Sequence, residues 1–186
     1  MRLDFSWRFD RWIHQLPKSP KDEGRIEGLV VRPEGSEAGG RQMVERVEVI
    51  PEEGVAGDRW AESPYATAGN EVSVINAYLL RAIAGGKPEH MALSGDNLHV
   101  DLDLSQENLP VGTRLLIGSA VLEVSEVEHC PCRHFIERFG QTATKKVARA
   151  NRLGLRGRGV LCHVRERGEI ELGDTISVER PSEPPR

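Results

Sequence analysis

Short apolar stretches recur along the chain between Gly, Pro and Asp residues: Ile26 to Val31, Met43 to Ile50, Val72 to Ile75, Asn97 to Leu102, Arg114 to Ile117, Ala120 to Val127, Val160 to Val164 and Thr175 to Val178. Runs this short at this spacing predict a mainly-β fold, a barrel or sandwich carrying a few helices. Alternation is clearest where Leu122 and Val124 turn inward and Glu123 and Ser125 outward, and Ile176 and Val178 repeat it, so these strands have one wet face. Gly118-Ser119 joins two strands in a hairpin, and Arg167-Gly168 and Gly173-Asp174 mark further reversals where glycine takes positive φ easily. The period turns helical in two places. Asn76 can cap a helix through Ala84, with Leu79, Leu80 and Ile83 on one face and Gly85-Gly86 at its end. Phe135, Ile136 and Phe139 predict a second helix that starts near Cys132 and stops at Gly140.

Residues 24–180 read as one domain. Residues 1–23 before it read as an amphipathic arm with Trp7, Trp12 and Ile13, joined by a polar hinge from Lys18 to Gly24, and residues 181–186 as a flexible tail. The arm lacks the apolar run of a signal peptide. With 186 residues, 38% of them hydrophobic and 29% charged, and a mean hydropathy of −0.43, the chain has the make-up of a soluble domain. Three cysteines, an odd number, fit a reducing compartment, so a cytoplasmic location is expected. A net charge of −4 and a pI near 5.9 argue against nucleic acid as a partner. The charge is unevenly spread. Glu89 to Glu128 holds eight acids against Arg114 alone, whereas Arg133 to Arg165 holds nine Lys and Arg against Glu137 alone. The basic stretch is either a receiver for a small anion or a solvated helix face.

The densest group of reactive side chains is His129-Cys130-Pro131-Cys132-Arg133-His134. Cys132 falls at the start of the second predicted helix, where the helix dipole and Arg133 favour its thiolate, the form needed in a nucleophile or a soft-metal ligand. A buried, inert cysteine is the commoner fate, but the Pro, Arg and His neighbours and the strand-to-helix junction point the other way. One intervening proline is poor spacing for zinc ligation, and Cys-x-x-Cys is the more usual redox pair, so a single functional Cys132 is favoured over both. Cys162, between Val160 and Val164, is assigned to the core. Gly54 to Trp60 can bring backbone amides and Arg59 to an anion, although a plain turn closed by Arg59 and Asp58 is the simpler expectation. Arg156 and Arg158, set among glycines, suit bidentate recognition of phosphate, or else form a solvated basic loop.

In their order and spacing these motifs resemble the MOSC domain, the module found at the C-terminus of molybdenum-cofactor sulfurases and in free-standing bacterial proteins. The resemblance rests on Gly24-Arg-Ile-Glu-Gly28, Gly54 to Arg59, Val72 to Ile75, Gly95-Asp-Asn-Leu98, Val111-Gly112 through Leu122, Cys132, Arg158-Gly-Val160, and Gly168 to Asp174. It implies a β-barrel built around one essential cysteine, Cys132, which either ligates molybdenum in a molybdopterin-type cofactor used to reduce N-hydroxylated compounds, or carries a persulfide. Arg59, Arg133, Arg156 and Arg158 are then the candidates to hold the cofactor, with Asp58, Asn97, His129, Cys130 and His134 in auxiliary roles. Cys130 can also resolve a persulfide or sulfenate on Cys132. Many relatives carry Arg-Gln where this chain has Asn70-Glu71, and a basic residue where it has Asp96. Without a pyridoxal-phosphate domain or a ferredoxin-like cysteine set, the chain is expected to rely on a separate cysteine desulfurase or electron-donor protein. A non-catalytic binding module using the Trp7 and Trp12 arm is the remaining alternative.

Overall fold

The computed structural model describes residues 11–33, 35 and 40–182, so the expected arm around Trp7 and the end of the expected tail, 183–186, lie outside the described residues. Eleven strands are described: β1 (Glu23–Val31), β2 (Gln42–Val44), β3 (Arg46–Ile50), β4 (Gly54–Val55), β5 (Val72–Asn76), β6 (Leu98–Asp101), β7 (Arg114–Ile117), β8 (Ala120–Val124), β9 (Val160–Glu166), β10 (Gly168–Glu171) and β11 (Thr175–Glu179). Helices α1 (Ala77–Ala84) and α2 (Pro88–Ala92) lie between β5 and β6, and α3 (Arg133–Arg152) lies between β8 and β9.

Seven strands close a barrel. From β1 the ring runs through β11, β7, β8, β9, β5 and β6 and returns to β1, which also carries β2 on its outer end. Neighbours in the ring are antiparallel except β5 and β6, whose parallel pairing needs a crossover, and α1 with α2 supplies it. Asn76 caps α1 by accepting from the Leu79 amide at 2.9 Å, and Gly85 ends it at φ 79°, as the sequence predicts. Inside the ring Leu29, Val74, Leu98, Val100, Leu115, Leu122, Cys162 and Ile176 are buried, which places Cys162 in the core.

The predicted elements need correction in three places. The run from Met43 to Ile50 is two strands in two sheets: β2 pairs with β1, and β3 joins the small β10-β3-β4 sheet. The phase of burial slips at Glu45, for Met43 is exposed and Val44 packs on the core while Val47 and Val49 are buried, and a one-residue slip turns a strand over. The strand expected to reach Val127 leaves the sheet after Val124, where the Ser125 hydroxyl donates to the Gly69 carbonyl at 2.6 Å. Its continuation crosses one end of the barrel on the way to Cys132. The helix expected to stop at Gly140 does break there, at φ 78° and ψ 170°, but then resumes to Arg152. Ala143, Val147 and Ala150, buried at helical spacing, carry the second segment.

Residues 11–14 are helical, and Trp12 and Leu16 pack against the buried cluster of Leu79, Phe135 and Val147. The Lys146 ammonium sits 4.4 Å from the Trp12 ring centre. The segment read as a hinge bonds to the body: the Pro20 carbonyl accepts from the Asp103 amide at 2.8 Å and the Lys21 carbonyl from Asn108 Nδ2 at 2.9 Å. No helix among the described residues is long and apolar enough to cross a membrane.

Candidate functional site

One end of the barrel, where β1 and β8 finish and β5, β6 and β9 begin, opens into a cleft of about 530 Å³. Cys132 lies in its wall as the N-cap of α3, in an extended conformation that turns its carbonyl to the Phe135 amide at 3.0 Å. Its thiol is exposed and makes no capping hydrogen bond, so it stands free at the positive end of the helix. Cys130, also exposed in the wall, differs: desolvation and the Glu128 carboxylate, to which its thiol donates, push its pKa up. In the core Cys162 is pushed up to about 12, chiefly by burial.

Five arginines converge on the same cleft: Arg32, Arg41, Arg59, Arg138 and Arg158. Arg32 is held by buried Asp58, which accepts from its Nη2 at 2.7 Å, its Nε at 3.0 Å and its backbone amide at 2.8 Å. Asp58 also accepts from the Trp60 amide at 2.9 Å and from Asn97 Nδ2 at 3.2 Å. Asn97 in turn receives the Ser73 hydroxyl at 2.9 Å. Asp58 and Asn97 are therefore supports under Arg32. Arg41 is lowered to about 10 by burial and by Arg138, Arg59 and Arg32, a crowd of like charge that an anion would relieve. Arg138 donates to the Leu93 carbonyl at 3.1 Å, and its pKa is lowered chiefly by burial.

Arg158 is bound more deeply. Its Nη1 donates to both oxygens of Asp96 at 2.6 Å, its Nη2 to the Ser94 carbonyl at 3.2 Å, and its guanidinium lies 5.0 Å from the Phe135 ring centre. Burial opposes ionisation of Asp96, yet Arg158 and His129 hold its pKa below the usual carboxylate value. His129 Nδ1 lies 3.8 Å from Asp96, and burial together with Arg158 lowers this histidine to about 3, so it is neutral at physiological pH. Asn151 ties the group together by donating to the His129 carbonyl at 2.9 Å and accepting from the Arg158 amide at 3.0 Å. Asp96 thus turns Arg158 into an anchor for the segment that delivers Cys132.

The structure brings together Cys132, Cys130, His129, His134, Arg59 and Arg158, and sets two expected residues apart from them. Arg133 points to solvent and pairs with Glu137 at 2.8 Å. Arg156 takes φ 46° and donates to the Leu109 carbonyl at 2.6 Å, beside a separate 130 Å³ pocket. The basic stretch is neither one surface nor one solvated face, because Arg138 and Arg158 enter the cleft, Arg133 leaves it and Arg165 pairs with Glu123 at 2.8 Å. Sequence reasoning missed Arg32, Arg41 and Arg138 as site residues. Arg138 was signalled only by its place on the helix that follows Cys132, and Arg32 and Arg41 by nothing local.

The family model of the MOSC domain matches residues 56–177. Among solved structures, the YuaD protein from Bacillus subtilis superposes with a TM-score of 0.58 at 22% identity, covering 84% of this chain and 95% of that one. YiiM from Escherichia coli gives 0.53 at 19% identity, with 86% and 72% covered, and YiiM from Geobacillus stearothermophilus 0.56 at 15% identity, with 84% and 75% covered. At these identities the likeness speaks for the fold. A search of curated proteins found no match.

Proposed function

The chain belongs to the MOSC domain family, and from that premise we propose that its cleft binds a molybdenum cofactor of the molybdopterin type, with the Cys132 thiolate as a ligand to the metal, in an enzyme that reduces N-hydroxylated compounds. The observation that carries this reading is the convergence of five arginines on the cleft that presents the exposed Cys132 thiol at a helix head. Guanidinium groups suit the phosphate of such a cofactor, and a lone soft thiolate suits its metal. No group of three His, Cys, Asp or Glu side chains among the described residues is placed to hold a metal, which fits a metal that brings most of its own ligands.

When bound, the cofactor would supply the two electrons that, with two protons, one through the site and one from solvent, turn an N–OH group into N–H with release of water. The chain's residues do the rest. Arg32, Arg41, Arg59 and Arg138 hold the anion, and the Asp58 and Asn97 supports fix Arg32 before the ligand arrives, which reduces the ordering cost of binding. The Asp96–Arg158–His129 group, tied by Asn151, holds Cys132 in place. His134, with Nδ1 3.1 Å from Glu137, lines the cleft, and in this reading it is the residue that passes a proton to the leaving hydroxyl. Electrons reach the site from a separate donor protein. Protein purified from a cofactor-producing host should hold molybdenum at close to one atom per chain, lose it in Cys132→Ser and hold it less firmly in Arg59→Ala. A sulfur adduct on Cys132 by intact mass, with no molybdenum, would replace this reading by the persulfide carrier.

A further inference from the structure

The rim of the cleft is the loop from Trp60 to Asn70. Tyr65 on this loop is 83% exposed, the most exposed large hydrophobic side chain described, and it lines the cleft together with Trp60. Exposure of this kind usually goes with a loose loop. This loop is instead hydrogen-bonded throughout. Ser63 N donates to the Trp60 carbonyl at 2.9 Å, Ala66 N to the Ser63 carbonyl at 3.0 Å, and Tyr65 N to the Ser63 hydroxyl at 3.2 Å. Asn70 closes it from within: its Oδ1 accepts from Trp60 Nε1 at 2.7 Å and from the Thr67 amide at 3.1 Å, and its Nδ2 donates to the Tyr65 carbonyl at 2.9 Å. The base is fixed as well, since Gly69 N donates to buried Glu71 at 3.1 Å.

Asn70 therefore has both ends of its amide engaged inside the loop. Here the position organises aromatic side chains beside a set of arginines, and the arginines come from elsewhere. We infer that Tyr65, which shares the cleft lining with Trp60, is a pre-formed stacking lip for the planar heteroaromatic ring of an anionic ligand whose charge the cleft arginines hold, and that Asn70 is the residue that positions it. The inference rests on the anion-binding reading of the cleft and adds the ring to it. A flat π-face over an electron-poor ring gives shape selection at little entropic cost, because tyrosine has few rotatable bonds and the loop is already ordered.

Binding of pterin-6-carboxylate, a fluorescent planar anion, and of pyrophosphate, an anion without a ring, to the full-length protein separates the two contributions. Tyr65→Ala should weaken the pterin about five- to 150-fold, the range for loss of one stacking contact, and leave pyrophosphate unchanged. Tyr65→Phe should bind as the wild type does, and Asn70→Ala should resemble Tyr65→Ala. Competition between the pterin and bound cofactor would put the cofactor's own ring on the lip, and simultaneous binding would put a substrate ring there. The lip is overturned if Tyr65→Ala binds the pterin normally, if it loses pyrophosphate in parallel, or if the wild type binds pyrophosphate and no pterin, and in each case the anion cleft stands. If neither probe binds, the cleft reading fails and the lip with it.

Discussion

Cys130 and Cys132 are separated by one proline and meet opposite surroundings. The first donates its thiol proton to Glu128, which resists ionisation, whereas the second stands at the head of α3 with Arg138 beside it. In the cofactor-free protein a limiting dose of iodoacetamide should label Cys132 first, Cys130 next and Cys162, raised to about 12 by burial, last. Peptide mapping reads the order, and early labelling of Cys162 would contradict it. Replacing Glu128 by Gln removes the charge that holds the Cys130 proton, so at neutral pH alkylation of Cys130 should speed up while Cys132 keeps its rate. The place of Cys132 was legible in the sequence because everything that defines it is local: a strand end, a proline and the Phe135 to Phe139 stripe of one helix. Arg158 was legible as an important cation but not as the partner of Asp96, since that pairing spans 62 positions.

Gly140 lets α3 change direction at φ 78° and ψ 170°, a conformation nearly closed to other residues, with open space around its missing Cβ. Gly140→Ala should therefore meet backbone strain and no clash. A cost of about 1–3 kcal/mol is expected, read as a melting temperature lower by roughly 2–12 °C. Because the first segment of α3 carries both Cys132 and Arg138, anion binding should weaken more than this loss of stability accounts for. A variant with unchanged melting temperature and pyrophosphate affinity would remove the kink from the account. The sequence marked Gly140 as a stop because it showed a helical stripe ending there. It did not show the restart, whose buried positions are two alanines and a valine among charged residues. The same limit hid the break at Glu45: apolar residues on both sides made one run, and only pairing with two different partners, β1 and β10, separates β2 from β3.

For the whole molecule, the choice of barrel over sandwich was open from strand count and spacing, and the closing pair, β1 with β11, joins the two ends of the domain. That closure also assembles the site, bringing Arg32 from the end of β1 and Arg41 from before β2 to a helix a hundred positions later. No local pattern encodes such a meeting. The Asp96–Arg158–His129 group, in which Asp96 and Arg158 are buried, ties the stability of the fold to pH. Burial, with Arg158, keeps His129 neutral in the folded chain down to about 3, whereas in the unfolded chain it takes up a proton near its ordinary 6.5. A lowered folded pKa gives stability that is fully present above pH 6.5 and is lost as the pH falls toward 3, and His99, lowered chiefly by burial, acts in the same direction. The melting temperature should fall over that window, less steeply in His129→Asn, and a flat profile would contradict the assignment. The central claim, that Cys132 is the protein's ligand to molybdenum, is tested most directly by X-ray absorption at the molybdenum edge of cofactor-loaded wild type and Cys132→Ser. One sulfur fewer around the metal in the variant is the expected result, and an identical sulfur count in the two proteins would contradict it.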